Sequence, residues 1–447
     1  MQTTTGPSPD APIGPDSRAL FAAHVASGAK PRDAWAVGPE LELFGYDRTT
    51  LERIGPETVQ AMLRGFEANG ATPVYEDDRI IEAAMDWGWL TVEPGGQIEF
   101  SGVQRAAIAD VERNVARFLA RLRELAAEHD VVFLASGFDP LRNASEQRWY
   151  PKRRYEVMRP YFSTGGRAGW DMMARTCAIQ ANIDFNGDVD LRAKFVVGNR
   201  LGPIVAAMFA NSPFEAGRLS GYKSRRYAAW LHTDSDRSGV SPAALDPAFS
   251  LDRFVENVER VPMLFVRRDG RYIDMAGESF VEFLRSGYNG VAPIFQDFTD
   301  HLTTIFTEAR LKQHVEMRSV DGGGPETLLS CLAFWKGLVY DERSLEAAVA
   351  LAPALDGAGF RKLQAAIARD ALAAASGGVR VLEIARQLVQ LAGEGLDRIA
   401  PGERAYLAPL EEYVLERGIS PADALVAEFE GPLDRDMSRL VARMRVA

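Results

Sequence analysis

Three segments of the chain alternate strictly between apolar and polar residues, and this pattern constrains the fold more than any other feature. The segments span residues 35–46, 176–185 and 311–319. A period of two predicts β-strands with one buried face and one polar face, as in a mainly antiparallel sheet. Helical periodicity separates the three segments and runs from residue 326 to the end. We therefore predict an α+β fold with helices packed on the outer face of the sheet.

The chain has 447 residues, enough for one large domain or for two or three average ones. Residues 1–16 are rich in Pro, Thr, Ser and Asp, and we predict that they form a disordered tail. We predict a single catalytic domain over residues 17–447. Its C-terminal part, residues 326–447, is expected to be mostly helical.

Charge and cysteine content exclude some classes of partner. The net charge of −11 argues against nucleic acid, which requires a basic face. The two cysteines, Cys177 and Cys331, form no disulfide or CxxC pattern, and this is typical of a reducing compartment. No apolar run is long enough for a membrane span. We predict a cytoplasmic protein with small-molecule substrates, and the sequence gives no indication of its oligomeric state.

The polar faces of the alternating strands carry an unusual set of side chains. They are Glu40, Glu42, Gln180, Asn182, Asp184, His314, Glu316 and Arg318. Two further carboxylates, Glu93 and Glu99, flank a Pro-Gly-Gly turn that can aim both at one point. Carboxylate oxygens suit Mg²⁺, whereas two unneutralised carboxylates about 4 Å apart repel by roughly 4 kcal/mol at an effective dielectric near 20. The residues alone leave open a metal site or a solvated acidic face.

The sequence contains no familiar phosphate-binding loop, neither GxxxxGK[ST] nor GxGxxG after a strand. Any bound phosphate would have to be neutralised by metal ions and by arginines such as Arg318. The tripeptide Arg-Arg-Tyr occurs twice, at residues 153–155 and at residues 225–227, the second within a predicted loop over residues 211–240. These arginines suit a substrate carboxylate, but spacing alone favours a basic surface cluster that balances an acidic protein.

Several longer strings resemble the plant-type glutamate–cysteine ligases, a family also found in bacteria and related to the glutamine-synthetase-like carboxylate–amine ligases. The resemblance covers about residues 36–430. The strings are Glu93-Pro94-Gly95-Gly96-Gln97, Arg154-Tyr155, Met158-Arg159, Asp171-Met172-Met173, Arg175-Thr176-Cys177, Phe209-Ala210-Asn211-Ser212-Pro213-Phe214, His301-Leu302-Thr303-Thr304, Arg310-Leu311-Lys312, Glu316-Met317-Arg318 and Asp321-Gly322-Gly323.

The resemblance implies a glutamine-synthetase-like catalytic fold and an ATP-dependent ligase that forms γ-glutamylcysteine through γ-glutamyl phosphate. This reaction begins the synthesis of glutathione or a related thiol such as ergothioneine. The implied cofactor is Mg²⁺, with Mn²⁺ as an alternative, and ATP is a co-substrate. The implied metal ligands are Glu40, Glu42, Glu93, Glu99 and Glu316. The implied substrate-binding residues are Arg154, Tyr155, Gln180, Asn182 and Arg226, and the implied catalytic residues are Arg226 and Arg318, with Arg318 at the ATP phosphates.

The sequence departs from the family pattern in places that concern the amine acceptor. Residues 38–45 keep both glutamates of the first strand motif but lack its usual His and Lys. Leu264 stands where the family usually has Tyr, and Phe298 where it usually has Trp. The regulatory cysteine pair of the plant members has no evident counterpart. Two alternatives therefore stay open, a γ-glutamyl ligase that uses another amine and a non-catalytic binder of nucleotide or metal.

Overall fold

The computed structural model of the chain describes residues 7–163 and 167–447. The strands are β1 (Val37–Asp47), β2 (Thr72–Glu76), β3 (Arg79–Met85), β4 (Gly88–Val92), β5 (Ile98–Gly102), β6 (Val131–Leu134), β7 (Ala178–Ile183), β8 (Phe214–Glu215), β9 (Arg218–Leu219), β10 (Ser238–Gly239), β11 (Phe265–Arg268), β12 (Arg271–Asp274), β13 (Phe306–Thr307), β14 (Ala309–Leu311), β15 (Val315–Asp321), β16 (Ala375–Ser376) and β17 (Val379–Arg380).

The α-helices are α1 (Arg18–Ala26), α2 (Pro56–Ala68), α3 (Ile108–Glu128), α4 (Arg153–Ser163), α5 (Arg167–Arg175), α6 (Gly187–Arg200), α7 (Gly202–Met208), α8 (Arg225–Leu231), α9 (Pro242–Leu245), α10 (Leu251–Arg260), α11 (Phe280–Ser286), α12 (Phe295–Leu302), α13 (Pro325–Tyr340), α14 (Glu342–Leu351), α15 (Gly357–Asp370), α16 (Val381–Ile399), α17 (Ala408–Leu410), α18 (Pro421–Glu430) and α19 (Met437–Met444). None of the helices in the described part of the chain is long and apolar enough to cross a membrane.

A large antiparallel sheet forms the centre of the fold, as the alternating segments predict. Its strands lie in the order β14-β15-β7-β1-β5-β4-β3-β2, and β6 pairs with the far end of β1. The register sets Glu40 opposite both Gln180 and Ser101, and it sets Glu42 opposite Glu99. Polar residues from distant parts of the sequence are thereby brought to one face of the sheet.

The other face of the sheet is apolar and is covered by helices. Leu41, Phe100, Ile179 and Met317 point to this side and are buried. Helix α3 packs on β5 and β6, α6 packs on β14 and β15, and α13 packs across β1 and β7. Because successive strand residues point to opposite faces, burying this side leaves Glu40, Glu42 and their neighbours on the opposite side.

The C-terminal part is mostly helical, as predicted, and it is joined to the sheet through α13. This helix begins after Gly324, with Pro325 in its first turn, and residues 328–340 are buried along its whole length. Proline is favoured at this position because the first backbone N–H groups of a helix have no partner within it. One continuous hydrophobic cluster includes residues from Ile13 to Ala447.

Three predicted elements are wrong in their details. The predicted strand over residues 311–319 is a hairpin of β14 and β15, and His314 lies in its turn. The predicted helix over residues 189–210 is interrupted at Leu201, where Pro203 lacks the N–H needed to continue α6. The predicted loop over residues 211–240 contains α8, which is capped by the Ser224 hydroxyl.

The N-terminal segment predicted to be disordered is partly ordered. Residues 1–6 lie outside the described residues. The backbone groups of residues 9–13 bond to residues 293–296, including a bond from Ile13 N to Pro293 O of 3.2 Å. Ile13 also joins the hydrophobic core, and burial of this side chain offsets the entropy lost on ordering the segment.

Candidate active site

A cavity of about 600 Å³ lies over the polar face of the sheet, and it contains almost all of the predicted site residues. The sheet forms its floor, while α4, α8 and the hairpin of β11 and β12 contribute its walls. The predicted residues that line it are Glu40, Glu42, Glu93, Glu99, Arg154, Tyr155, Gln180, Arg226, Glu316 and Arg318. Asn182 of β7 is not part of the lining, but its amide nitrogen donates to a Glu40 oxygen at 2.9 Å. The sheet register therefore gathers residues that the sequence alone could not place together.

The Pro-Gly-Gly turn between β4 and β5 brings Glu93 and Glu99 to this cavity. The Glu93 amide donates to the Gln97 carbonyl at 2.9 Å, and Gly96 has a φ of +79°, which favours glycine. The buried Arg53 donates to the Gly95 carbonyl at 2.8 Å. These bonds fix the backbone of the turn and therefore the backbone positions of Glu93 and Glu99.

Glu40, Glu42 and Glu99 are buried close to one another, and this raises the pKa values of all three. Burial, followed by the charges of Glu316 and Glu99, raises the pKa of Glu40 to about 7. Burial and the nearby Glu99 and Glu93 raise the pKa of Glu42 well above its usual range, and the pKa of Glu99 is raised for the same kind of reason. These shifts come first from burial and then from the neighbouring negative charges, and a hard cation bound there would offset both effects.

The donor set fits a hard divalent cation in its chemistry, because it consists of carboxylate and amide oxygens. Within residues 7–163 and 167–447, however, no three His, Cys, Asp or Glu side chains are close enough together to hold an ion. Glu42 instead accepts from the Ala178 amide at 2.7 Å. Glu99 accepts from the hydroxyls of Thr91 and Ser101 at 3.1 and 3.0 Å.

Glu316 differs from the other four glutamates, because it is surrounded by cations. Its two carboxylate oxygens accept from Arg310 at 2.5 and 2.8 Å, and Arg318 lies 3.0 Å away. Although burial alone would raise the pKa of this carboxyl, Arg310, Lys312 and Arg318 lower it well below its usual range. Glu316 is therefore already neutralised by protein side chains.

Arg318 projects from β15 into the cavity. Its guanidinium donates to the Gln180 side-chain oxygen as well as to Glu316. The guanidinium is almost completely enclosed, and burial lowers its pKa, although arginine keeps its charge in proteins. A fixed, partly desolvated guanidinium of this kind is suited to bind a phosphate group.

One arginine of each Arg-Arg-Tyr tripeptide enters the cavity, and the other lies outside. Arg154 lines the cavity and donates to the Thr303 hydroxyl at 3.2 Å, whereas Arg153 binds the Gly270 carbonyl. Arg226 also lines the cavity, whereas Arg225 forms ion pairs elsewhere. The interpretation of both tripeptides as surface clusters is therefore wrong for one arginine in each.

Tyr155 lines the cavity, and its hydroxyl donates to the Val92 carbonyl at 2.7 Å. Other aromatic and thioether side chains complete the apolar part of the wall, namely Met158, Met172, Met173, Trp230, Tyr272 and Phe306. Leu264 and Phe298, the two departures from the family pattern, do not line the cavity. Leu264 is fully buried, and Phe298 stacks on Phe21 with ring centroids 4.0 Å apart.

Comparison with known proteins decides the family. The profile of glutamate–cysteine ligase family 2 matches residues 36–442. The chain belongs to this family. It is 36% identical over 437 residues to the chloroplastic glutamate–cysteine ligase of Nicotiana tabacum, covering 96% of this chain and 84% of the relative. It is 35% identical over 421 residues to the chloroplastic enzyme of Arabidopsis thaliana, covering 93% and 80% of the two chains.

Structural similarity extends to a bacterial protein of low sequence identity. The glutamate–cysteine ligase of Francisella tularensis, solved in complex with AMP, aligns with a TM-score of 0.52 at 14% identity and covers 92% of this chain and 88% of its own. At this identity the comparison shows the fold alone. The glutamine-synthetase-like fold predicted for a member of glutamate–cysteine ligase family 2 is thereby confirmed.

The cavity of this family 2 member contains four basic residues to which the sequence analysis gave no role: Lys152, Arg267, Arg310 and Lys312. Arg310 and Lys312 alternate on the strand and turn directly before Glu316, and this spacing was the signal that could have revealed them. Burial lowers the pKa of Lys152 and of Lys312. The cavity thus brings these basic side chains together with the carboxylates of its floor, an arrangement suited to anionic substrates together with a metal ion.

The pKa shifts give a testable dependence of stability on pH and Mg²⁺. A carboxyl with a raised pKa in the folded state, such as Glu40 at about 7, destabilises the fold as pH rises from about 4.5 through about 7. Cation binding requires the deprotonated form. We expect Mg²⁺ to raise the Tm more at about pH 8 than at about pH 6. Scanning fluorimetry measures the Tm with Mg²⁺ and, as a reference, with Na⁺ at the same ionic strength. Equal Tm increases at both pH values would contradict this expectation.

Proposed function

We propose that this chain is an ATP-dependent glutamate–cysteine ligase that forms γ-glutamylcysteine. The observation that carries the proposal is that one cavity contains both the buried carboxylates of β1 and β5 and the arginines Arg154, Arg226 and Arg318. Membership of glutamate–cysteine ligase family 2 supports this activity, and the AMP complex of the Francisella tularensis enzyme supports adenine nucleotide as the co-substrate.

The reaction follows from the weakness of a carboxylate as an electrophile. An oxygen of the glutamate γ-carboxylate attacks the terminal phosphorus of ATP, so that ADP leaves and an acyl phosphate forms. The amine nitrogen of cysteine then attacks the acyl carbon, phosphate departs with the bonding electron pair, and the nitrogen loses a proton. Both steps bring anions together, so catalysis depends on positioning and on fixed charges.

Each predicted residue has a role that its position supports. Arg318, held by Gln180 and Glu316, would bind the transferred phosphoryl group. Arg154 and Arg226 would bind substrate carboxylates, Tyr155 would form the adjoining wall, and Gln180 and Asn182 would orient the carboxylates of the sheet face.

Glu40, Glu42, Glu93 and Glu99 would hold Mg²⁺, or Mn²⁺ in its place. When bound there, the ion would offset the charge of the ATP phosphates and of the acidic floor. Glu316 would contribute less directly, because its carboxylate is shared among Arg310, Lys312 and Arg318. To act as a metal ligand, as predicted, the Glu316 carboxylate would have to be released from Arg310.

A screen of amine acceptors tests the proposed function. Phosphate release is measured with purified chain, ATP, Mg²⁺ and glutamate, adding in turn cysteine, alanine, 2-aminobutyrate and methylamine. We expect cysteine to give the highest kcat/KM, with 2-aminobutyrate closest because it replaces the thiol by a methyl group. Turnover with cysteine no better than with methylamine would show that another amine is the acceptor. Absence of ATP turnover with every amine would leave a non-catalytic nucleotide or metal binder.

The cellular setting follows from the reaction and is part of the same proposal. γ-Glutamylcysteine would supply glutathione or a related thiol such as ergothioneine. We propose a cytoplasmic location, although the names of the plant relatives place those enzymes in the chloroplast. Comparison of thiol pools in cell extracts with and without the protein measures this contribution.

A further inference from the structure

Strand β15 contains a β-bulge at the point where it supplies Arg318 to the cavity. The pairing with β7 is regular up to Met317 and resumes at Val320, so that Arg318 and Ser319 together oppose the single residue Gln180. A bulge of this kind re-aims a side chain and leaves backbone groups without ladder partners. The direction of Arg318 therefore depends on whatever holds the bulge.

Two residues hold the bulge from either side. Arg226 donates to the carbonyl oxygens of Arg318 and Ser319 at 2.9 and 3.3 Å. On the other side, the Arg318 amide donates to the Glu308 carbonyl at 3.0 Å, and the Ser319 hydroxyl donates to the Glu308 carboxylate at 2.6 Å. The backbone groups released by the bulge are thus satisfied by these two residues.

Glu308 is itself held by neutral donors. Its carboxylate, on a residue only 6% exposed, accepts from the Tyr227 hydroxyl and from the Gln364 amide nitrogen at 2.7 Å. Gln364 belongs to α15, in the C-terminal helical part. A chain of hydrogen bonds therefore runs from α15 through Glu308 to the bulge. Burying a carboxylate costs free energy unless its oxygens accept hydrogen bonds, so the loss of any one of these donors would destabilise the buried Glu308 carboxylate.

We propose that Glu308 is a positioning residue that holds the bulge of β15 and thereby keeps Arg318 aimed into the cavity. Gln364 extends this hold to the C-terminal helices. The inference rests on the proposed function, because Arg318 is the group proposed to bind the phosphoryl group. Glu308 does not line the large cavity, and it acts through Arg318 and Ser319.

The test exchanges donor and acceptor between Glu308 and Gln364. In Glu308→Gln an amide NH₂ replaces one of the two carboxylate oxygens, so that either the bond from Gln364 or the bond from Ser319 is lost. We expect kcat with saturating ATP to fall about tenfold and KM for ATP to rise, because small misplacements of catalytic groups are costly. The double variant Glu308→Gln/Gln364→Glu restores one donor and one acceptor. We expect it to recover kcat to within about threefold of the original.

Glu259→Gln is the matched control. Glu259 is similarly buried and bonds to Arg18 at 2.6 Å, away from the cavity. We expect this control to lower Tm without changing KM for ATP. The inference is overturned if Glu308→Gln keeps the original kinetic constants. It is also overturned if the loss of activity tracks Tm alone and the double variant gives no rescue.

Amide hydrogen exchange separates this inference from the proposed function. In Glu308→Ala we expect faster exchange in the peptide that covers residues 315–321, with peptides of β1 and β5 unchanged. This readout needs no turnover. A chain inactive with every amine would therefore refute the proposed function while exchange still decides the role of Glu308. Unchanged exchange over residues 315–321 would overturn the inference even in an active enzyme.

Discussion

Replacement of Arg318 by methionine is expected to lower kcat by about 10²–10³-fold, the usual cost of removing one donor aimed at developing charge. The guanidinium is enclosed in the cavity and fixed by Gln180 and Glu316, so solvent cannot easily replace it. Methionine keeps much of the length and the apolar stem, so the loss concerns charge and hydrogen bonding. Steady-state kinetics with ATP, glutamate and cysteine measure the effect.

Arg253→Met is the control for this experiment. Arg253 does not line the cavity, and its side chain is 53% exposed and lies 2.6 Å from Asp246. Exposed ion pairs contribute little, so we expect kcat to change by less than about threefold. The kcat of Arg318→Lys should lie between those of the two methionine variants, because lysine keeps the charge but lacks the planar guanidinium group. An Arg318→Met enzyme with unchanged kcat would contradict the assignment of Arg318 to the phosphoryl group.

Replacement of Gly95 by valine is expected to have the second large effect. A Cβ at this position would lie 2.4 Å from the Ala174 carbonyl oxygen and 2.8 Å from its Cα, both backbone atoms at the end of α5. The turn would have to move away from α5 and would lose the bond from Arg53 to the Gly95 carbonyl. Because Glu93 and Glu99 flank this turn, we expect the Mg²⁺ concentration for half-maximal activity to rise at least about tenfold.

Urea unfolding and Mg²⁺ titrations of activity measure the two consequences of Gly95→Val separately. Overpacking of this kind should lower the free energy of unfolding by about 1–3 kcal/mol. Gly402→Ala is the control, since no atom lies within 4 Å of a Cβ placed there. An unchanged Mg²⁺ dependence in Gly95→Val would show that the turn does not carry metal ligands.

The alternating segments predict the sheet and the two faces of its strands because side-chain direction in a strand depends only on parity. Glu40, Glu42 and Gln180 could therefore be assigned to a polar face from the sequence. The pairing of Glu42 with Glu99 is different, because register depends on contacts between residues far apart in the chain. Family resemblance, rather than spacing, supplied the expectation that these residues meet.

The features that the sequence could not predict are those in which tertiary contacts override local pattern. Apolar residues follow one parity up to Met317 and the other at Val320, and only the structure shows that a bulge at residues 318–319 makes this change. Likewise, the neutralisation of Glu316 by Arg310 depends on the hairpin turn at residues 312–314. Local polarity gave little indication that Arg226 is buried, because the three residues directly before it, at 223–225, are charged or polar.

The most direct test of the account follows oxygen from glutamate to phosphate. Glutamate labelled with oxygen-18 in its γ-carboxylate is supplied with ATP, Mg²⁺ and cysteine, and the released phosphate is examined by mass spectrometry. If ATP phosphorylates the γ-carboxylate in the cavity over the sheet, each phosphate carries one labelled oxygen. Release of unlabelled phosphate during formation of γ-glutamylcysteine would contradict an acyl phosphate and, with it, the role proposed for this site.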